Sequence, residues 1–123
     1  MNHVTAISTV AVPVTDQDRA LAFYVDTLGF ELRLDAPLPQ LGGRWIVVAP
    51  AGATTSLALV PASDQTPVGA DIGIRFATGD AAAAHAALAA QEVPVDALLS
   101  WPGVPPMFTF RDPDGNVLYL VEG

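Results

Sequence analysis

Apolar residues recur along this chain in two rhythms. Short runs rich in β-branched residues, bounded by Gly, Pro and Asp, predict strands over 7–12 and 71–77. After the first run, Leu21, Tyr24, Val25 and Leu28 fall on one face of a helix that Thr15 or Asp16 can cap. Asp16 and Asp18 suit the positive end of its dipole, and Gly29 ends it as a C′ residue. After the second run, a helix opens at Asp80 and continues through the alanines that surround His85 and Leu88. Each helix is followed by three apolar strand candidates, at 30–34, 44–49 and 56–60 in the first half and at 95–99, 107–111 and 117–121 in the second. The order is therefore βαβββ twice, two halves that share a plan and not a sequence.

Turn formers divide the elements. Gly42-Gly43, Pro50-Ala51-Gly52 and Pro61 punctuate the first half, Pro102-Gly103 and Pro105-Pro106 the second. One domain results, with module one at about 5–61, a linker at about 62–69 that contains Asp64, Gln65 and Pro67, and module two at about 70–123. In Arg111-Asp112-Pro113-Asp114-Gly115-Asn116, Pro113 presets φ and Gly115 tolerates φ > 0, which predicts a hairpin between the last two strands. Trp45-Ile46-Val47-Val48 and 117–121 are apolar at consecutive positions instead of alternating, so both faces of these strands are expected to be dry.

Composition narrows the possible partners. A chain of 123 residues suffices for one core. With a formal charge of −8 and only five basic residues, it lacks the Lys/Arg stripe that nucleic acid or an anionic membrane surface requires. The carboxylates are spread over loops and caps, which suits solubility better than steering of a cationic ligand. Cysteine is absent, which excludes disulfides, thiolate metal sites and a cysteine nucleophile. Met1-Asn2-His3-Val4-Thr5 opens no basic and apolar export signal, and no apolar run reaches the roughly 20 residues of a membrane span, so the expected location is cytoplasmic.

The run Asp16-x-x-x-Ala20-x-x-Phe23-Tyr24 with Leu28-Gly29-Phe30, and Asp112-Pro113-Asp114-Gly115-Asn116 leading into a strand, together resemble the vicinal oxygen chelate superfamily of glyoxalases, bleomycin-resistance proteins and ring-cleaving dioxygenases. The resemblance covers nearly the whole chain. It implies an α+β fold whose two βαβββ modules pair into a curled mixed sheet around a shared cavity, with the helices outside. It further implies a homodimer and, in the enzymes of the family, a divalent metal held by His, Glu or Gln side chains from a few strands.

Matched one by one, the family's ligand positions fall on Thr9, Ser56, Gly73 and Tyr119. None suits a metal: glycine has no side chain, the two hydroxyls are weak neutral donors, and the phenol must lose a proton with a pKa near 10. A displaced carboxylate set of Asp26, Glu31, Asp35 and Glu122 looks instead like helix-end, strand-end and tail charges. His3 lies in an edge or terminal segment, and His85 reads as packing or surface. No G-x-S-x-G elbow accompanies Ser8, Ser56, Ser63 or Ser100. No cofactor and no metal are therefore expected.

What remains is aromatic and apolar. Trp45, Phe108, Phe110 and Tyr119 lie on strands, and Trp101 sits in a loop where burying its ring needs a docked loop or a ligand. Tyr119 either offers its hydroxyl to a ligand or fills the cavity. The reading that follows is a metal-independent binding protein that holds an apolar or aromatic small molecule through Thr9, Trp45, Ser56, Gly73, Trp101, Phe108 and Tyr119. The alternatives are a glyoxalase-type lyase, isomerase or dioxygenase using a metal through unusual ligands, and a structural module whose dry faces are buried in a homodimer.

Overall fold

The computed structural model describes residues 3–123, and the anticipated elements form two units, one ending at Pro67 and the other running from Val68 to Gly123. Met1 and Asn2, part of the N-terminal segment considered above, lie outside the described residues. In the first unit, β1 (Thr9–Val14), α1 (Gln17–Ala22), β2 (Glu31–Leu38), β3 (Gly43–Ala49) and β4 (Ser56–Pro61) follow one another, and the sheet has the order β1-β4-β3-β2. β1 runs parallel to β4 in unbroken register from Thr9 opposite Ser56 to Val14 opposite Pro61, and the remaining pairs are antiparallel.

Both edge strands run further than the alternation predicts, β1 through Pro13 to Val14 and β2 through Pro37 to Leu38. An edge strand has one side without a ladder, so a proline there forfeits no sheet hydrogen bond. Val12, Val14, Ile46, Val48, Leu57 and Leu59 alternate onto one face and are buried, as are Ala20, Phe23 and Tyr24 of the helical segment.

Asp16 caps α1, its carboxylate accepting from the Arg19 N–H at 3.1 Å. The helix then widens into a π-helical turn over Phe23–Thr27, in which the Leu28 N–H reaches back to the Phe23 carbonyl at 3.0 Å. The wider turn lets the consecutive Phe23 and Tyr24 both turn inward, edge to face at 5.2 Å. Gly29, at φ +80°, closes the segment as the sequence predicts.

Gln17 does work that no periodicity announces. Its Nε2 donates to the Arg44 and Leu59 carbonyls at 2.6 and 2.9 Å, and its Oε1 accepts from the Arg44 N–H at 3.0 Å. The paired residues of β3 and β4 are Val47 with Ala58 and Val48 with Leu57, so the glutamine supplies polar partners beyond the region where the two strands pair.

The second unit repeats the plan with one strand missing. β5 (Asp71–Thr78), α2 (Ala81–Ala90), β6 (Met107–Arg111) and β7 (Val117–Glu122) give a sheet of order β5-β7-β6, with β5 parallel to β7. The strand expected at 95–99 is reduced to two isolated bridges, Val95 to Phe110 and Leu99 to Met107. Pro94, without an N–H, adjoins the segment, and the change of register between the two bridges interrupts a regular ladder. Asp80 caps α2 by accepting from the Ala83 N–H at 2.9 Å, and the Glu122 carboxylate takes the Ala81 N–H at 3.0 Å.

The fold is thus mixed α+β, with two small sheets and few helices; among the described residues no helix is long and apolar enough to cross a membrane.

Candidate functional site

The parallel strand pairs of the two units carry four of the residues singled out above, Thr9, Ser56, Gly73 and Tyr119. In the first unit, Thr9 and Ser56 are register partners, and their hydroxyls lie 3.1 Å apart. Ser56 Oγ also lies 3.3 Å from the Ser8 carbonyl, an acceptor for its proton. By alternation their face continues through Ala11, Ala58, Val47 and Trp45, the last half-buried and opposite Ala36 on β2. This is an apolar face whose polar atoms are mostly spent on each other.

The equivalent pair of the second unit is built differently. Arg75 stands opposite Tyr119, but Asp71 stands opposite Val117, so four residues of β5 span two of β7. The slack is a bulge around Gly73, whose φ of +74° lies in the left-handed region. An added Cβ at Gly73 would have room, meeting nothing nearer than Arg75 Nη1 at 4.0 Å, so the glycine is required by its backbone conformation and not by crowding. The Gly73 N–H donates to Asp71 Oδ1 at 2.9 Å, and this turn brings the carboxylate back over the sheet.

There the Tyr119 hydroxyl donates to Asp71 Oδ2 at 2.5 Å, while the Arg75 guanidinium lies 4.2 Å from the centre of the Tyr119 ring. Arg75 Nη1 also donates to the Gly73 carbonyl at 2.9 Å. The hydrogen bond from Tyr119, with help from the Gly73 N–H, holds the Asp71 carboxyl below its ordinary range. The same bond, with Asp71 as acceptor, raises the phenol above its ordinary value. Next along the sheet, Thr109 opposite Tyr119 donates to Asp96, which also pairs with Arg111 at 2.8 Å. The expected dry second face of β7 is corrected here: charged and hydroxyl side chains from both of its neighbours lie alongside Tyr119, and Val117 sits between Asp71 and Arg111.

The other anticipated residues are placed as follows. Phe108 is fully buried on the opposite face, edge to face with His85 of α2 at 4.9 Å, so it is core and does not share the face of Tyr119. Strand alternation decides this, since Phe108 is one residue from Thr109. His85 packs as expected and lies 2.8 Å from the Asp96 carbonyl. Trp101 is 58% exposed in a turn in which the Val104 N–H donates to the Trp101 carbonyl at 3.0 Å, with Pro102 and Gly103, φ +76°, at its centre. The ring is not docked under its loop, and among the described residues no hydrogen bond or ring contact joins it to Tyr119, Asp71 or Arg75.

Glu31, Asp35 and Glu122 do not converge: Glu31 faces Arg33, Asp35 pairs with Arg44, and Glu122 caps α2. Among the described residues no three His, Cys, Asp or Glu side chains gather where a cation could sit. Separately, Asp18, Leu21, Ala22, Val25, Asp26 and Leu32 line a groove of about 300 Å³ that holds Asp26 of the carboxylate set and none of the anticipated ligand-binding residues. The sequence reading missed Asp71 and Arg75 as partners of Tyr119; the glycine between them in a strand was the available signal of a bulge.

Against known families, residues 2–120 match the Glyoxalase/Bleomycin resistance protein/Dioxygenase superfamily. The chain belongs to this superfamily. Among solved structures, TnmS3, an antibiotic binding protein from Streptomyces sp. CB03234, is 39% identical with a TM-score of 0.89, over 99% of this chain and 98% of that one. A glyoxalase/bleomycin resistance protein from the same organism is 41% identical with a TM-score of 0.81, over 94% and 99%. Lactoylglutathione lyase from Agrobacterium tumefaciens is more distant, 27% identical with a TM-score of 0.74, over 99% and 96%. A curated relative, the uncharacterized protein YetH of Bacillus subtilis (strain 168), is 41% identical over 59 residues, 47% of this chain and 48% of its own length.

A metal of the kind the superfamily's enzymes use does not fit the residues present. Thr9 and Ser56 are neutral and bonded to each other, Gly73 is the apex of a bulge, and Tyr119 would have to become a phenolate beside a carboxylate that opposes its ionisation.

Proposed function

We propose that the protein is a metal-independent binding protein that sequesters an apolar or aromatic small molecule. The observation that carries this reading is the pairing found at three of the positions matched to the family's ligands, Thr9 with Ser56 and Tyr119 with Asp71, a residue outside that set. The likeness to an antibiotic binding protein over nearly the whole chain supports it. In this reading the sheet face of Thr9, Ser56 and Trp45 in the first unit offers an apolar surface, and in the second unit Tyr119 offers a polar contact and the exposed Trp101 a ring for stacking. Gly73 serves through the bulge and not through contact. The whole chain acts as one domain, with module one at about 5–61 and module two at about 70–123, and works as a homodimer, as the family resemblance implies.

The test is a thermal-shift and calorimetric screen of the untagged chain with planar aromatic antibiotics, run beside manganese, iron, cobalt, nickel and zinc. Stabilisation by an aromatic compound and none by metals is expected. Near-equimolar tightly bound metal would instead make it an enzyme with displaced ligands. Light scattering during chromatography checks the dimer.

A further inference from the structure

Three of the chain's arginines are committed to carboxylates: Arg33 to Glu31, Arg44 to Asp18 and Asp35, and Arg111 to Asp96. Arg75 differs. Its nearest carboxylate, Asp71, has one oxygen taken by the Tyr119 hydroxyl and the other by the Gly73 N–H, and among the described residues Arg75 forms no ion pair. Its guanidinium carbon lies over the Tyr119 ring and one N–H is held by the Gly73 carbonyl, which tethers the fork at two points. A guanidinium has five N–H donors in one plane, so the edge of the fork not spent on Gly73 remains for a ligand. The side chain is exposed, so a ligand can reach it.

A tethered guanidinium with no ion pair is matched by a planar anion that accepts two parallel hydrogen bonds. We infer that Arg75 is an anion-recognition residue, and that the ligand is an aromatic carboxylate whose charged group is held at the fork of Arg75 beside Tyr119. This rests on the small-molecule binding reading above and adds the chemical class. The Asp71–Tyr119 bond has a definite part: it occupies a carboxylate oxygen that could otherwise pair with the arginine and holds the ring beneath the guanidinium.

The experiment is an NMR titration of the isotope-labelled full chain at low ionic strength with 2-naphthoate and with 2-naphthamide, which share shape and differ in charge. Charge-assisted bonds predict that naphthoate binds about tenfold more tightly, with the largest shifts at the Arg75 side chain and Tyr119. Arg75→Gln should bring the two affinities together. Arg75→Lys, which keeps the charge and loses the planar fork, should restore only part of the preference. Arg111→Gln should leave it in place. Equal affinities in the wild type, or a preference that survives Arg75→Gln, would overturn the anion site while leaving an aromatic binder. Failure of both compounds to bind would sink the binding reading itself.

Discussion

The two units place a polar pair at the same topological point, where the first and last strands run parallel, and they build it in opposite ways. In the first unit the register is unbroken, the partners are two neutral hydroxyls, and the face around them is apolar. In the second the register is bulged, the partners are a phenol and a carboxylate, and a guanidinium lies over the ring. One plan therefore carries an apolar face in one unit and a charged cluster in the other. A duplicated topology constrains where side chains stand, and the residue placed there decides the chemistry.

The largest expected effect tests what holds the second pair in register. Asp112 accepts from the Asp114 and Asn116 N–H groups, both at 3.0 Å, and from the Asn116 side chain at 2.9 Å; Asn116 in turn accepts from the Gly69 N–H at 2.9 Å. Both residues are buried. Asn116→Ala leaves buried partners unmet and should cost about 2–4 kcal/mol in chemical denaturation. A loss below about 1 kcal/mol would show that the hairpin does not depend on this network.

Gly73→Ala comes next and erases the main structural difference between the units. Only the left-handed φ opposes it, so about 1–2 kcal/mol is expected by thermal melting, together with loss of the Tyr119 to Asp71 bond. If the variant keeps wild-type stability and the bond, the bulge is not what aims Asp71.

Tyr119→Phe removes that bond without disturbing packing and has a signature in pH. A lowered Asp71 contributes stability that is complete above its ordinary 3.8 and is lost as pH falls through its lower folded value. A raised Tyr119 contributes stability that is complete below its ordinary 10.0 and is lost as pH rises through its higher folded value. Wild type and variant should therefore differ at neutral pH and converge at both extremes, and carbon-detected NMR should show the Asp71 midpoint moving back up in the variant. An unmoved midpoint would remove the bond as the cause.

Ser56→Ala should cost less, about 0.5–1 kcal/mol, because Thr9 is exposed and water can replace the lost partner. An effect of similar size concerns the helix ends. The first helical segment closes on Gly29, whereas α2 is followed by Glu92 at φ +63°. Glu92→Gly should stabilise by about 0.5–1 kcal/mol in the same denaturation assay; a loss of stability would mean that the glutamate side chain is needed there.

Much of the fold was legible because its signals are local. Asp16 and Asp80 cap their helices, Gly29 closes the first, and the Pro113 to Gly115 turn joins β6 to β7. The expected strand at 95–99 failed because its apolar run does not encode the register change between its two bridges to β6. Tyr119 was singled out, but its partners were not: Asp71 is 48 positions away, and only a bulge brings it within reach. Gln17 is similar, an ordinary polar residue in sequence that satisfies backbone groups 27 and 42 positions away.

By itself, then, the sequence determined the βαβββ order of the first half, the same plan short of one strand in the second, the helix ends and the last hairpin, because periodicity, capping and residue chemistry act over a few neighbours. Only the tertiary structure decided that Thr9 meets Ser56, that Phe108 belongs to the core, and that Asp71 and Arg75 converge on Tyr119. Those outcomes depend on strand register, where a slip of one residue reverses every side chain and a bulge of two extra residues turns a carboxylate back across its own sheet.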